Sequence, residues 1–297
     1  MELRRFLMII TAALVIILTI VVWFFPSNDD FRTENPFWNG IRDISSNYAA
    51  SPLHSLSDLP PSPLGTTLIL IPYLEFTSSE LEQLNSFVTH GGTLVLADDY
   101  GYGNQILEHL GLKARFSGQI LLDPLFNYNN KLLPRIYHLT PSSINTSTES
   151  LILNHATCLT DVEADSTLAQ SSSFSFLDLN NDQTQDEDEP CGPLPVISRH
   201  NLGSGQIILI SDPSIFINSM DAMEDNYTFI QNLMAINTSE LLIDQSHLPT
   251  SNLHGTKDLL ADIRGMLITP AGTAGVVILA LTITLMPVWH KIEKRET

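Results

Sequence analysis

Two charge-free apolar stretches, one at each end, constrain this chain more than anything between them. Phe6 to Phe25 reads FLMIITAALVIILTIVVWFF, and Met266 to Trp289 reads MLITPAGTAGVVILALTITLMPVW. About 20 uncharged apolar residues in a helix cross a hydrocarbon layer of about 30 Å. The chain between them is polar, acidic and long enough to bury a core of its own. The expected organisation is a globular domain tethered to a membrane by one transmembrane helix at each end. It divides as 1–26, anchor; 27–63, juxtamembrane linker; 64–264, domain; 265–289, second span; 290–297, basic tail.

Charge sets the expected orientation. Arg4 and Arg5 precede the first span, Asp29 and Asp30 follow it, and Lys291, Lys294 and Arg295 follow the second. Basic residues favour the cytoplasmic side, so the expected place is the cell membrane, with both termini cytoplasmic and the domain outside the cytoplasm. A cleaved signal peptide is the other reading of the first segment. Its apolar region exceeds the usual 7–15 residues and no small-x-small cleavage pattern follows it. A buried core helix is the other reading of the second. Of the 14 basic residues five lie in the tails, and of the 33 acidic residues three do, which leaves 9 against 30 and a net of −21 in the domain. Such a surface excludes nucleic acid, which demands basic protein. It also opposes docking on anionic headgroups. Divalent cations and basic partners are compatible with it, and so is a solvated surface with no ligand.

Cys158 and Cys191 both fall in the domain. Outside the cytoplasm they could form a disulfide closing a loop of about 33 residues, worth about 3–4 kcal/mol; two free thiols are the alternative. Glycosylation sequons occur at Asn145, Asn226 and Asn237.

Within the domain, strand and helix signals alternate. TTLILIP (66–72) and TLVLA (93–97) are continuous apolar runs, as in strands buried on both faces. Thr77 and Glu80 form a capping-box pattern ahead of Leu81, Leu84, Phe87 and Val88, and Gly91 and Gly92 close that helix. A second helix starts at Gln105. GQIILIS (205–211) is a third strand, Tyr227 to Ile236 a helix and ELLI (240–243) a fourth strand. Strand–helix alternation predicts an α/β fold: a parallel sheet flanked by helices in three layers. The segment of about 116–199 reads as an irregular insertion, with short strand candidates at 151–153 and 174–177.

Two groups of residues could carry chemistry. Asp98, Asp99, Asp212, Asp244 and His247 follow the predicted strands, at the edge where open α/β sheets bind ligands. They could share a pocket for a ligand or metal, or cap helices and fix turns. The second group is the loop DLNNDQTQDEDE. It places Asp178, Asn180, Asp182, Thr184, Asp186 and Glu189 at positions 1, 3, 5, 7, 9 and 12 of a calcium-loop pattern, with Gln183 where the turn glycine belongs. Calcium ligation and a solvated acidic run are the two readings. No G-x-S-x-G elbow occurs, and neither cysteine sits at a predicted strand-to-helix turn.

The segments ILIPYLEFTSSELEQLNSFVTHGGTLVLADDYG, SSSFSFLDLNNDQTQDEDEPCGPLPV and GSGQIILISDPSIFINSMDAMEDNYTFIQNLM resemble a family of membrane proteins called domain of unknown function 4350. The resemblance spans roughly Thr66 to His247. It implies a class I glutamine amidotransferase-like, flavodoxin-like fold, related to domains in gliding-motility auxiliary components of ABC transporters. Many members lack the Cys–His–Glu triad, and none is found in this sequence. The expected function is a non-catalytic binding or scaffold domain, an accessory subunit with membrane-protein partners, requiring no cofactor and with calcium as its one candidate ion. The rival expectation is a metal-dependent hydrolase using the five sheet-edge residues.

Overall fold

The computed structural model describes residues 3–236, 239–278, 281, 282 and 285. The basic tail, the end of the second apolar stretch and Asn237 lie outside the described residues. The chain forms two compact units, one of residues 26–249 and one made of the two ends.

In the terminal unit, α1 (Leu3–Phe24) contains a 19-residue stretch, Phe6–Phe24, with mean hydropathy 2.9 and no burial, apolar enough to cross a membrane. In the same unit, α6 (Asn252–Ile268) is capped by Ser251, whose hydroxyl accepts from the His254 amide. It stops at Thr269, which is extended (φ −65°, ψ 154°) because it precedes Pro270. The Thr269 hydroxyl then accepts from the Gly272 amide, and helix resumes through Ile278. The guanidinium of Arg264 lies 5.7 Å over the Trp23 ring, so the end of α1 and the end of α6 meet.

The other unit is an α/β domain on a mixed eight-stranded sheet. Its strands are β1 (Ser51–Leu53), β2 (Thr66–Leu70), β3 (Thr93–Ala97), β4 (His138–Leu139), β5 (Thr167–Gln170), β6 (Pro195–Leu202), β7 (Gly205–Ile210) and β8 (Glu240–Asp244), ordered β1-β8-β2-β3-β7-β6-β5-β4. The four strands expected from apolar runs are present as β2, β3, β7 and β8, mutually parallel, with β1 added at the edge. The expectation of an all-parallel sheet needs correction, because β6, β5 and β4 extend it antiparallel. A two-residue turn joins β6 to β7, too short for the crossover that parallel pairing requires. The linker also contributes structure, in β1 and the short helix α2 (Arg42–Asn47).

Side-chain alternation makes three layers. Leu242, Leu68, Leu94 and Ile207 lie side by side across four strands and face the helices α3 (Ser78–Thr89) and α4 (Asn104–His109). The next row, Ile243, Ile69, Val95 and Ile208, faces α2 and α5 (Asn226–Met234), which buries Phe229, Ile230, Leu233 and Met234. At the start of α3, the Thr77 hydroxyl accepts from the Glu80 amide and the Glu80 carboxylate from the Thr77 amide, the capping box expected from sequence.

The segment of about 116–199 supplies β4, β5, most of β6 and three two-stranded ribbons. These pair Arg115–Phe116 with Leu159–Thr160, Ile120–Leu122 with Phe176–Asp178, and Arg135–Ile136 with Leu151–Ile152. Polar residues hold it. Asp123, fully buried, accepts from the amides of Leu125 and Phe126 and from the Ser172 hydroxyl. Asn226 is fully buried too; it accepts from the Ile152 amide and donates to the carbonyls of Ile152 and Met220. Asn145 is buried and donates to the carbonyls of Thr140 and Leu168.

The expected disulfide is not present in the structure: both thiols are free. Cys158 is packed in the core on the α5 side, and burial pushes its thiol up to about 12. Cys191 is exposed, its sulfur accepting from the Gln185 side chain.

Candidate functional site

After β3 the chain leaves to α4 on one face of the sheet, whereas the helix between β7 and β8 covers the other. Adjacent parallel strands whose connections diverge leave a crevice at their carboxyl ends, where α/β sheets place ligands. Asp98 and Asp99 follow β3 there, and Asp212 follows β7.

These carboxylates differ in their work. Asp98, facing α4, accepts from the amides of Tyr100 (2.9 Å), Gly101 (3.1 Å) and Gly103 (2.6 Å), which fixes the loop ahead of α4. Gly101 has φ +89°, a conformation most L-residues avoid. Asp212 caps the short helix Pro213–Phe216, accepting from Ser214, and its other oxygen takes the Asn154 amide, each at 2.7 Å. Burial pushes its carboxyl up to about 8, and the charge of Asp99 adds to the rise. Asp99 itself is pushed up to about 7, by burial first and then by Asp98. Its Oδ1 is shielded from solvent and has no hydrogen-bond partner.

Asp244 and His247 form a separate group at the end of β8. Asp244 accepts from the His247 Nδ1 at 2.9 Å and from the His247 amide, while the His247 Nε2 lies 3.6 Å from Glu80. The imidazole stacks on Phe76 with centroids 4.0 Å apart and is 3% exposed. Both nitrogens face carboxylates, so this histidine fastens β8 to the start of α3. The five sequence-selected residues therefore divide into an Asp99–Asp212 pair at the crevice, Asp98 inside its own loop, and Asp244–His247 beyond β2. Among the described residues, no group of three or more His, Cys, Asp or Glu is arranged to hold a metal.

The sequence reading did not select the aromatic residues at this edge. Tyr73, from the end of β2, packs against Tyr100 (6.0 Å between centroids) and Tyr102 (6.2 Å), which are 5.9 Å apart; Phe31 stacks on Tyr73 at 5.8 Å. Tyr100 and Tyr102 are 62% and 50% exposed. Tyr100 is held up from its ordinary value by Asp99 first, then by burial, Tyr102 and Asp30; burial and Asp99 raise Tyr73. The doublet in ADDYGYG was the available signal, but Tyr73 and Phe31 reach it only through the fold.

The acidic loop closes on its own main chain. Asp178 accepts from the amides of Asp182 and Gln183, Glu189 from those of Leu179 and Asp186, and Asp182 from that of Thr184; the Asn180 side chain donates to Asp186. Asp178 and Glu189 are buried, and Asn181 and Gln183 have φ near +62°.

Comparison with known proteins places the chain. A model of the family described as Domain of unknown function (DUF4350) matches residues 39–234, and the chain belongs to that family. No curated protein matches it. Among solved structures it is similar to the mmIFT52 N-terminal domain, at 12% identity and TM-score 0.51, covering 71% of this chain and 94% of that one. It also matches a putative ThuA-like protein from Bacteroides uniformis (10% identity, TM-score 0.37, 70% and 87% covered). A third match is a β-galactosidase from Bacillus circulans sp. alkalophilus (15% identity, TM-score 0.36), covering 57% of this chain and 22% of the enzyme. At such identity the first likeness speaks for the fold alone.

Proposed function

We propose that this protein is a membrane-anchored, extracytoplasmic binding or scaffold protein, an accessory subunit of a membrane or transport complex, with no catalytic site of its own. The observation carrying this reading is how the polar residues at the carboxyl edge are used. Asp98, Asp212 and Asp244 are spent on main-chain amides, and His247 has carboxylates on both nitrogens. None of these four is left to activate a nucleophile, and Asp99, the one with an unpartnered oxygen, has no histidine or thiol among its named neighbours. The class I glutamine amidotransferase-like assignment is part of this reading, supported by the five-stranded parallel half of the sheet with helices on both faces. Two membrane spans with cytoplasmic termini are supported by the apolar α1 and by Arg264 over Trp23, which brings the outer ends of both segments together.

Purification of the full chain in mild detergent tests the reading: a stoichiometric membrane-protein partner is expected. A chain that elutes alone and hydrolyses a substrate with added metal, losing that activity in Asp99→Asn, would establish the hydrolase instead. In a Cys191→Ser background, single cysteines placed at the exposed Ser173 and in the basic tail should be labelled by an impermeant reagent only at Ser173.

A second reading concerns calcium. The positive φ at Gln183, together with buried carboxylates at both ends of the acidic loop, gives the backbone the turn that calcium loops place at their sixth position. Asp178, Asn180, Asp182 and Glu189 would be the side-chain ligands, with Thr184 and Asp186 completing the pattern. Millimolar calcium should then raise the melting temperature by mass action, and the triple change Asp178→Asn, Asp182→Asn, Glu189→Gln should abolish the rise. An unchanged wild-type melting curve returns the loop to a solvated acidic run.

A further inference from the structure

We propose that Tyr73, Tyr100 and Tyr102, with the carboxylates of Asp30 and Asp99, form a docking surface for an arginine side chain in a basic segment of a partner protein. The inference rests on the binding-protein reading and supplies the chemistry of the partner.

Position is the first support. The cluster joins the carboxyl ends of β2 and β3, and its Tyr100 and Tyr102 stand on the loop after β3, the strand that borders the crevice where the sheet's connections diverge. Its loop is rigid: Asp98 takes three of its amides, and the Tyr100 carbonyl lies against Gly118, where a Cβ would approach that oxygen to 2.7 Å. The exposed rings of Tyr100 and Tyr102 are therefore held in place before any partner arrives, which lowers the ordering cost of binding.

Electrostatics is the second. Aromatic faces are negative and attract cations. Beside burial, Asp99 and Asp30 both act on Tyr100 and Tyr73; Tyr100 follows Asp99 in the chain, and Phe31, which stacks on Tyr73, follows Asp30. Unlike the oxygens of Asp98 and Asp212, the Asp99 Oδ1 has no donor, so it carries acceptor capacity the fold does not use. Because that oxygen is shielded from solvent, a guanidinium held over the exposed rings meets the carboxylates by charge rather than by bonding this atom, and it relieves repulsion among the acids. The net of −21 over the domain adds long-range attraction for a basic segment.

The third support concerns which cation. A guanidinium is planar, weakly hydrated, stacks on aromatic faces and offers several donors at once, whereas an ammonium is compact and strongly hydrated. Ring faces beside a carboxylate match the former. A neutral sugar could stack on the same rings but gains nothing from the uncompensated charge.

The test uses the full chain in detergent micelles at fixed salt and a blocked pentapeptide with two arginines, titrated calorimetrically. Its counterparts carry lysine, or citrulline, the uncharged isostere. The arginine peptide should bind at least about tenfold more tightly than the citrulline peptide, with lysine between them. Tyr100→Ala/Tyr102→Ala and, separately, Asp30→Lys should each weaken it about tenfold; both alter exposed side chains, and their melting curves verify folding. Asp165→Asn/Glu187→Gln/Asp188→Asn removes three exposed charges elsewhere and should change affinity less than about twofold. If that variant weakens binding as much as the tyrosine change does, the attraction is diffuse and the surface is not a site. Equal binding of the citrulline peptide, or of maltotriose lost in the tyrosine variant, would also overturn the proposal. Failure of the parent reading looks different. A partner that still co-purifies with the tyrosine variant removes this surface and leaves the binding protein; absence of any partner from the wild type removes the reading.

Discussion

The parallel half of the sheet and its antiparallel extension are held together by different kinds of interaction. In the parallel half every residue of β2 and β3 is buried, neighbours across the middle of the strands are Leu, Ile and Val, and helices cover both faces. The extension has strands as short as two residues, a bulged pairing between β5 and β6, and an interior containing Asp123, Ser171, Ser172 and Ser175. Each of these polar groups has a partner; the Ser171 hydroxyl, for example, accepts from Ser175 and from the Leu194 amide. Burial of apolar area is non-directional and tolerates small shifts. Hydrogen bonds between buried groups demand one geometry and penalise loss of either member. The parallel half therefore supplies stability, and the extension obtains its irregular path from directional bonds.

The largest effect should come from the parallel half. Leu94→Ala empties a site with no solvent exposure between β2 and β7 and should cost about 3 kcal/mol, a fall in melting temperature of roughly 6–12 °C. Asp123→Ala in the extension strands two amides and a hydroxyl and should cost about 2 kcal/mol. Hydrogen exchange sharpens the contrast: protection should be lost around 120–126 and 171–178 while β3 and β7 keep theirs. Loss of β3 protection in step would mean that the halves unfold as one, and the contrast would fail.

The crevice at the carboxyl edge, where Asp212 also takes the Asn154 amide of the extension, should respond to pH. Asp99 and Asp212 rise from 3.8 to about 7 and about 8 in the folded state. Between about pH 4 and pH 8 the folded form then holds protons that the unfolded chain has released, so stability falls as pH rises through that window. Asp98 is also raised, and Tyr73 and Tyr100 remain protonated throughout. Asp99→Asn should flatten the decline and gain on the order of 1 kcal/mol at pH 8 relative to wild type. A decline of unchanged slope would place the titration elsewhere.

The smallest effect belongs to the acidic loop. Gln183→Gly relieves a positive φ and should stabilise by a few tenths of a kcal/mol, up to about 1. A destabilising result would show that the Gln183 side chain has a role its backbone conceals.

The same contrast explains what could be read from the sequence. Strands β2, β3, β7 and β8 are unbroken apolar runs, and the capping box at Thr77 is a four-residue pattern, so each declares itself locally. The pairing of Ile120–Leu122 with Phe176–Asp178 joins segments far apart in the chain, and β6 begins at a proline and carries Arg199, His200 and Asn201 in its second half, so neither shows a period. At the crevice the carboxylates were visible because they follow readable strands. The tyrosine cluster was not, because Phe31, Tyr73 and Tyr100 come from three separate segments. The Glu80 partner of His247 was masked in the same way, since its capping role already explained it.

The buried amide of Asn226 has a bearing on which cells can make this protein. Asn226 begins the sequon Asn-Tyr-Thr, and both its donor bonds run to interior carbonyls. An oligosaccharide is transferred to the nascent chain, before such a side chain is sealed away, and a modified nitrogen has no room between Ile152 and Met220. A secretory pathway that decorates sequons would thus turn a folding element into an obstacle at Asn226, and again at Asn145. Production in a host without that transferase, or with Thr228→Ala to erase the acceptor signal, avoids the conflict.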